Sequence, residues 1–344
     1  MRRILTALLA LIPAASVLGG AADKKLDVYW IDVEGGGGTL IVTPAGESIL
    51  IDSGNPADAG KPPRDSARIV KVAKEVAGLT RIDFFILTHN HRDHFGGIAE
   101  VAAQIPVGTV YDNGEFPGGR ERPSAEYLAF KADKRVVLNP GDTLPLKNLD
   151  AGPKVSLTCV AARKEVMKAP ADAKTTNFEN PRRKPDDFSD NANSIASLIR
   201  FGDWSMFVGG DLTWNIEEKL AVPANILGQV DVYQSTHHGL DVSNNPVVIK
   251  SVAPTVVVIT NGSTKGCMPE MVQTVRTTDS IVGIYQLHRN ERKGEEKNNV
   301  PDEFIANPKK ECDGNYIKCA VAPDAKAYTL TVPATKHEQK YDTK

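Results

Sequence analysis

Three histidines and an aspartate crowd into one short stretch, Thr88-His89-Asn90-His91-Arg92-Asp93-His94-Phe95-Gly96-Gly97. The chain has seven histidines, and three of them fall within these six positions, 89–94. Imidazole nitrogen and carboxylate oxygen together are the ligand set for zinc, iron or manganese. Spacing this short around a tight turn lets side chains face two adjacent ions, His89 and His91 toward one, Asp93 and His94 toward the other. The alternative is a solvated polar loop, but folding gives no reason to gather these residues. A single structural ion is a further alternative, although such sites usually draw on cysteine.

The flanking pattern says what must position this stretch. Residues 84–87 are an uninterrupted apolar run, a buried strand, and residues 98–102 read as the start of a helix. Upstream, residues 26–33 alternate as a first strand, 39–43 and 48–51 as a hairpin across Pro44-Ala45-Gly46-Glu47. Between them lie Glu34 and the run Gly35 to Gly38, which joins two strands and opens no helix, so it reads as a close backbone approach. Glu34 is either a solvated carboxylate or one that reaches substrate. Asp52 ends the third strand and either orients a ligating histidine or initiates a turn. Ile69, Val72, Ala73 and Val76 form one helical stripe that stops at Gly78. Residues 107–111 and 136–138 read as strands, with Tyr111 and Asp112 at the edge of a pocket. The polar stretch 161–188 is a long surface loop, either a lid or disordered.

In the second half, Asp190-Asn191-Ala192-Asn193-Ser194 precedes a strand at 195–201, which pairs with 204–208 across Gly202-Asp203. Gly209-Gly210-Asp211 ends that hairpin; Asp211 could ligate or could cap a helix over 212–220. A strand at 230–233 leads to His237-His238-Gly239. Strands at 256–260 and 281–287 flank a helix at 269–276, and His288 follows the second of them. Residues 290–325 read as a charged loop, 327–332 as a last strand, and the tail as polar.

His-x-His-x-Asp-His after a strand resembles the signature of the metallo-β-lactamase superfamily. Ile49-Leu50-Ile51-Asp52-Ser53-Gly54, Met206-Phe207-Val208-Gly209-Gly210-Asp211 and Ser235-Thr236-His237-His238-Gly239 resemble its other motifs in the right order, over roughly residues 26–290. The nearest branch is that of the metallohydrolase domain of DNA-uptake channels, although Glu-Gly-Gly-Gly stands where those relatives often carry Gly-Gln-Gly-Asp. The resemblance implies an α/β fold, an αββα sandwich with metals at one rim of two central sheets. It implies two divalent ions, zinc or manganese, held by His89, His91, Asp93, His94, Asp211 as the bridge, and His237 in preference to His238. The third histidine that much of the superfamily places before the strand at 195–201 is missing. Asp190 is the best replacement by position, ahead of Asn191 and Asn193. The implied reaction is hydrolysis by a metal-activated water. Asp93 orients the nucleophile, and His238 or His288 protonates the leaving group or contacts substrate. The leading substrate is a phosphodiester or other phosphoester. A lactone, ester or β-lactam is the alternative, and a di-iron oxidoreductase a more distant one.

Composition bounds these readings. With 344 residues, 41% hydrophobic and 24% charged, the chain has ample material for one large core, read as a single domain over 23–344 with a C-terminal extension. The net charge is −2, or −4 without Arg2 and Arg3, so no stable nucleic-acid complex is expected. Met1-Arg2-Arg3, an apolar run to Leu18 and then Gly19-Gly20-Ala21-Ala22 read as a signal peptide over 1–22, and as export to the periplasm or medium with no membrane span thereafter. Four cysteines suit an oxidising compartment. Cys312 and Cys319 flank a turn signal and suit a local disulfide, Cys159 reads as buried and free, and Cys267 lies in a loop. Oligomeric state is not legible.

Overall fold

Alternate side chains of the strand Leu26–Ile31 enter two different cores: Leu26, Val28 and Trp30 one, Tyr29 and Ile31 the other. A strand buried on both faces belongs between layers. The computed structural model, which describes residues 22–344, shows what those layers are. One mixed sheet runs, edge to edge, His337–Asp342, Ala327–Val332, Tyr316–Val321, Leu26–Ile31, Thr39–Val42, Ser48–Ile51, Ile82–Ile86, Val107–Asp112, Ala132–Val137. The other runs Ile305–Asn307, Gly283–His288, Val256–Ile259, Val232–Gln234, Trp204–Val208, Ala196–Phe201, Val155–Ala162, Glu165–Val166. A core between the sheets joins Trp30, Ile41 and Ile86 to Ile199, Met206 and Val258. Ile69, Val72 and Ala73 cover the outer face of the first sheet, and Val248, Ile249, Met271 and Val275 that of the second. This is the expected αββα sandwich.

Register brings the chemistry to one rim. Ile51 pairs with Ile86 in parallel, so Asp52 and Thr88 leave the first sheet side by side. In the second sheet Val208 pairs in parallel with Gln234, and the chain ends after them carry Asp211 and His237. Ile195 N–H donates to Thr88 O at 2.8 Å and ties the two rims together.

Several elements depart from the sequence reading. The stripe around Ile69 is an α-helix only over Asp65–Lys71 and continues as a π-helical turn, Val72–Val76. The helix read over 212–220 is confined to Trp214–Glu218. The charged stretch 290–325 contains two strands. Tyr316–Val321 pairs antiparallel with Leu26–Ile31, so the C-terminal extension completes the first sheet. Its alternation, with Ile317, Cys319 and Val321 buried, is short and interrupted by Lys318. The polar tail forms the edge strand His337–Asp342, which carries little apolar signal because Glu338, Gln339 and Lys340 stay in water and only Tyr341 and His337 pack inward. The loop 161–188 is neither free nor featureless. Lys174–Thr175 pairs with Ala224–Asn225, Trp214 Nε1–H donates to Arg182 O at 2.7 Å, and Lys184 Nζ reaches Glu270 Oε2 at 2.9 Å.

Cys312 and Cys319 are not bridged, and Cys159 and Cys267 are also free thiols. Cys319 points into the core between the sheets, whereas the Cys312 thiol donates to Asp32 Oδ2 at 3.3 Å, so the two sulfurs face different environments. Tyr111 packs into the core between the sheets and not along a pocket, and only Asp112 reaches one. No helix among the described residues is long and apolar enough to cross a membrane. The predicted leader lies outside the described residues over 1–21.

Candidate metal centre

Asp52, at φ +60°, spends both carboxylate oxygens on the histidine loop. Oδ1 accepts from Thr88 N–H at 2.8 Å; Oδ2 accepts from the Thr88 hydroxyl and from His94 Nδ1, each at 2.8 Å. A carboxylate only accepts, so Nδ1 carries a ring proton and Nε2 is the nitrogen presented to the centre. Asp52 is therefore the orienting residue, not a turn former. Gly37 N–H donates to Asp93 O at 3.0 Å, and a Cβ on Gly37 would lie 2.6 Å from Asp52 Cβ. The glycine run is thus a close backbone approach, as its context suggested.

Asp211 is the meeting point. Its N–H is held by Ser194 Oγ at 3.1 Å, and Gly210, at φ +55°, lets the chain turn against Thr88. Four imidazoles surround its buried carboxylate. Oδ2 lies 3.2 Å from His94 Nε2, 3.3 Å from His237 Nε2 and 3.8 Å from His89 Nε2, while Oδ1 lies 3.3 Å from His238 Nε2. Two clusters share this neighbourhood: His89, His94 and Asp211, and Asp93, His94 and His238. His91 Nδ1 joins the first, 2.9 Å from His89 Nε2. His238, not the preferred His237, completes the set with Asp93. Both residues have positive φ, 51° and 56°, which turns both rings toward Asp211, and no sequence pattern reveals that twist.

Supporting residues were invisible in the sequence. Glu121 Oε2 takes His91 Nε2 at 2.5 Å, which leaves Nδ1 facing His89. Asn244 brackets the histidine turn, accepting from Thr236 N–H at 3.0 Å and donating to Thr236 O at 2.8 Å. Lys265 pairs with Asp93 at the mouth of the centre. None of these lies in a motif; Glu121 and Lys265 act across 30 or more residues, which leaves no local signal, and the Asn244 reach back to Thr236 spans eight.

Two expectations fail. Asp190 does not replace the missing histidine. Its Oδ2 accepts from Asn90 N–H at 2.6 Å and braces the histidine loop, and its Oδ1 accepts from Asn193 Nδ2 at 3.0 Å within its own turn. Asp190→Asn is accordingly expected to leave metal content unchanged while costing about 1–3 kcal/mol of stability; elemental analysis and thermal melts read both. His288 is not at the centre either. It is fully buried, with Nε2 3.2 Å from Asp32 Oδ2 and 3.5 Å from Cys312 Sγ. Burial alone would depress it, but the bonds to Asp32 and Cys312 push it up to about 10. It is locked as one half of an ion pair and cannot donate to a leaving group at the centre.

The electrostatics call for a cation. Burial would raise Asp211, yet His237, His238 and His94 hold it well below the usual carboxylate range. Burial would depress His94, yet Asp211, Asp52 and Asp93 push it well above the usual histidine range. Burial keeps His89 and His238 low and brings His237 to about 4, so those rings keep free lone pairs at neutral pH. Glu217 lies behind the histidine turn, accepting from Asn245 N–H at 2.8 Å, and burial pushes it up to about 7 from an ordinary 4.5. The folded state therefore binds a proton that the unfolded chain has released. That stabilisation is full below about pH 4.5 and is lost as pH rises through about 7. Glu217→Gln should thus be near-neutral at pH 5 and stabilise by about 1–3 kcal/mol at pH 8. Melts showing the same shift at both pH values would contradict this.

Residues 34–175 match the profile of the metallo-β-lactamase superfamily. The UPF0173 metal-dependent hydrolase of Cupriavidus metallidurans is 33% identical over 94 residues, 26% of this chain. The match spans only 28% of that relative's own length. Among solved structures, the di-iron β-hydroxylase CmlA from Streptomyces venezuelae is 17% identical with a TM-score of 0.41, covering 69% of this chain and 44% of CmlA. A mutant form of CmlA β-hydroxylase is 16% identical with a TM-score of 0.46, covering 77% and 52%. The segment that matches this superfamily profile, residues 34–175, carries both Asp52 and the His89–His94 loop.

Proposed function

We propose that this protein is a metal-dependent hydrolase that holds two divalent ions, zinc or manganese, and acts on a phosphodiester or related phosphoester. One observation carries the metal reading. His94 Nε2, His238 Nε2 and Asp211 Oδ1 are buried, face one another, and have no hydrogen-bond partner. Each such atom costs about 1–3 kcal/mol if left unsatisfied. Neutral imidazole and carboxylate donors at this spacing fit a borderline or hard dication. His89, His91 and Asp211 would hold one ion, and Asp93, His94, His238 and Asp211 the other. When bound, such ions supply an activated water and a Lewis acid for the scissile group.

The chain's own residues supply the rest. Asp52 and Glu121 fix which nitrogen His94 and His91 present. Lys265, about one-third exposed beside Asp93, is placed to bind a substrate oxygen that carries negative charge. A cavity of about 330 Å³ adjoins Asn90 and is lined by Asp112, Glu115, Arg122, Tyr127 and Leu128. A cation at Asp93 favours an anionic phosphoester over a neutral carbonyl compound. The Asp190 turn in place of a third histidine supports kinship with the DNA-uptake branch. The leader-like residues 1–22 support export, which the N-terminal sequence of the mature protein would test.

The deciding experiment is metal analysis of chelator-free protein, coupled to a panel of phosphodiester, phosphomonoester, lactone, ester and β-lactam. Two equivalents of metal with phosphodiester turnover are expected. Turnover of carbonyl substrates alone would transfer the assignment to that class, and iron without hydrolysis would make it a redox protein.

A further inference from the structure

A second group of potential ligands lies outside this centre, at the far end of the glycine run. Asp32, Glu34, His288 and Cys312 each direct a ligand atom to within 4.8 Å of the others. Three of these atoms form a tighter triangle. Asp32 Oδ2 is 3.2 Å from His288 Nε2 and 3.3 Å from Cys312 Sγ, and His288 Nε2 is 3.5 Å from Cys312 Sγ. Ligands at the usual zinc bond lengths in a tetrahedron are separated by about 3.3–3.8 Å. The triangle therefore already has nearly the dimensions of one face of such a site, and Glu34 stands next to it. Asp32 and His288 are fully buried, and Asp32 Oδ1 is fixed by Glu34 N–H at 3.0 Å.

Arg68 is the apparent obstacle, since its Nη1 lies 2.9 Å from Asp32 Oδ2 and 3.4 Å from Glu34 Oε1. Charge balance removes it. Without an ion, the two carboxylates face the guanidinium of Arg68, that of Arg64 at 3.8 Å from Glu34 Oε1, and the His288 imidazolium, while Cys312 donates to Asp32 as a thiol. Binding a dication releases one proton from His288 and one from Cys312, because coordinated imidazole is neutral and a coordinated thiol is ionised. Two protons leave, two positive charges arrive, and the net charge of the cluster is unchanged with Arg68 and Arg64 in place.

We propose that Asp32, Glu34, His288 and Cys312 form a separate binding site for a zinc-like, thiophilic divalent ion. The four residues come from the end of Leu26–Ile31, the loop after it, the end of Gly283–His288 and the segment before Tyr316. An ion there clamps the C-terminal part of the chain to the base of the glycine run, and Gly37 in that run holds Asp93 O. Its role is structural, since all four positions are filled by protein.

Cobalt titration of the full mature protein tests this directly, because the centre around Asp211 contains no cysteine. Cobalt at the proposed site must give a thiolate-to-cobalt charge-transfer band. That band should survive Asp211→Asn and vanish in Cys312→Ser, with the loss of one metal equivalent. A readout that needs no variant is alkylation of the unaltered protein followed by peptide mapping, in which zinc should slow Cys312 modification at least tenfold. Absence of the band at saturating cobalt, or equal Cys312 alkylation with and without zinc, would overturn the proposal. Either result leaves the hydrolase reading untouched.

Discussion

Asp211→Asn will lose both ions on dialysis and lower hydrolysis by more than about 100-fold, beyond the 10–100-fold typical of residues that merely support a ligand. The reason is geometric. One buried carboxylate faces His94, His237 and His89 through Oδ2 and His238 through Oδ1. Asn offers one neutral oxygen and points an NH2 group at ring nitrogens whose lone pairs are needed. The same change removes the main anion opposite His94, whose proton in the metal-free protein depends on Asp211 first among its carboxylate neighbours. Breaking a buried pair of this kind costs about 3–5 kcal/mol. The metal-free variant should therefore melt below the metal-free parent, and elemental analysis should find it empty. Two equivalents of metal retained by the variant would remove Asp211 from the bridging position.

Asp52→Asn will fold but bind the ion at Asp93, His94 and His238 about 10–100-fold more weakly. Asp52 touches no ion; it sets the tautomer of His94. Its Oδ1 still has a counterpart in Asn, which can accept from Thr88 N–H. The Oδ2 that accepts from the Thr88 hydroxyl and His94 Nδ1, at 2.8 Å each, becomes an NH2 donor. A donor there favours a lone pair on Nδ1, so the proton moves to Nε2 and blocks the ligand face. Asp52→Ala should be worse in a different way. It leaves Thr88 N–H buried without a partner and should cost stability, about 1–3 kcal/mol from that group alone. Metal-binding isotherms and melts separate the cases: both variants should lower affinity, and Ala should lower the melt of the metal-free protein further than Asn, which keeps the bond from Thr88 N–H. Wild-type affinity in Asp52→Asn would show that His94 keeps its tautomer without help.

The two ions should also bind unequally. Glu121 fixes the ring of His91, but the turn before Ala196–Phe201 offers no histidine, and the oxygens of Asp190 in that turn are committed to Asn90 and Asn193. The set around Asp93, His94 and His238 has no such vacancy among its expected positions.

Much of this was legible from spacing alone. His89, His91, Asp93 and His94 lie on one turn, and a strand before it and a helix after it leave that turn little choice of position. The central strands were legible because burial on one or both faces writes apolar runs or alternation into the chain. The edge strand His337–Asp342 was not, because an exposed strand needs no apolar pattern. Asp52 and Asp211 were named by the motifs around them. Glu121 and Lys265 were not, because each acts on a residue far away in the chain, at a place set by sheet pairing, and Asn244 was not, because its bonds to Thr236 depend on the backbone twist at His237 and His238.

The sequence by itself determined the ligand types, their order and the layered architecture, because those depend on side-chain chemistry and on periods of two and 3.6 residues. Only the tertiary structure decided between His237 and His238, moved Asp190 from ligand to brace, and moved His288 from the centre to the pair with Asp32 and Cys312. Each of those outcomes turns on which partner a side chain meets across the rim of two sheets. Backbone angles at His237 and His238, and contacts spanning 100 residues for Asp190 and Asn90 or 24 for His288 and Cys312, settle that choice.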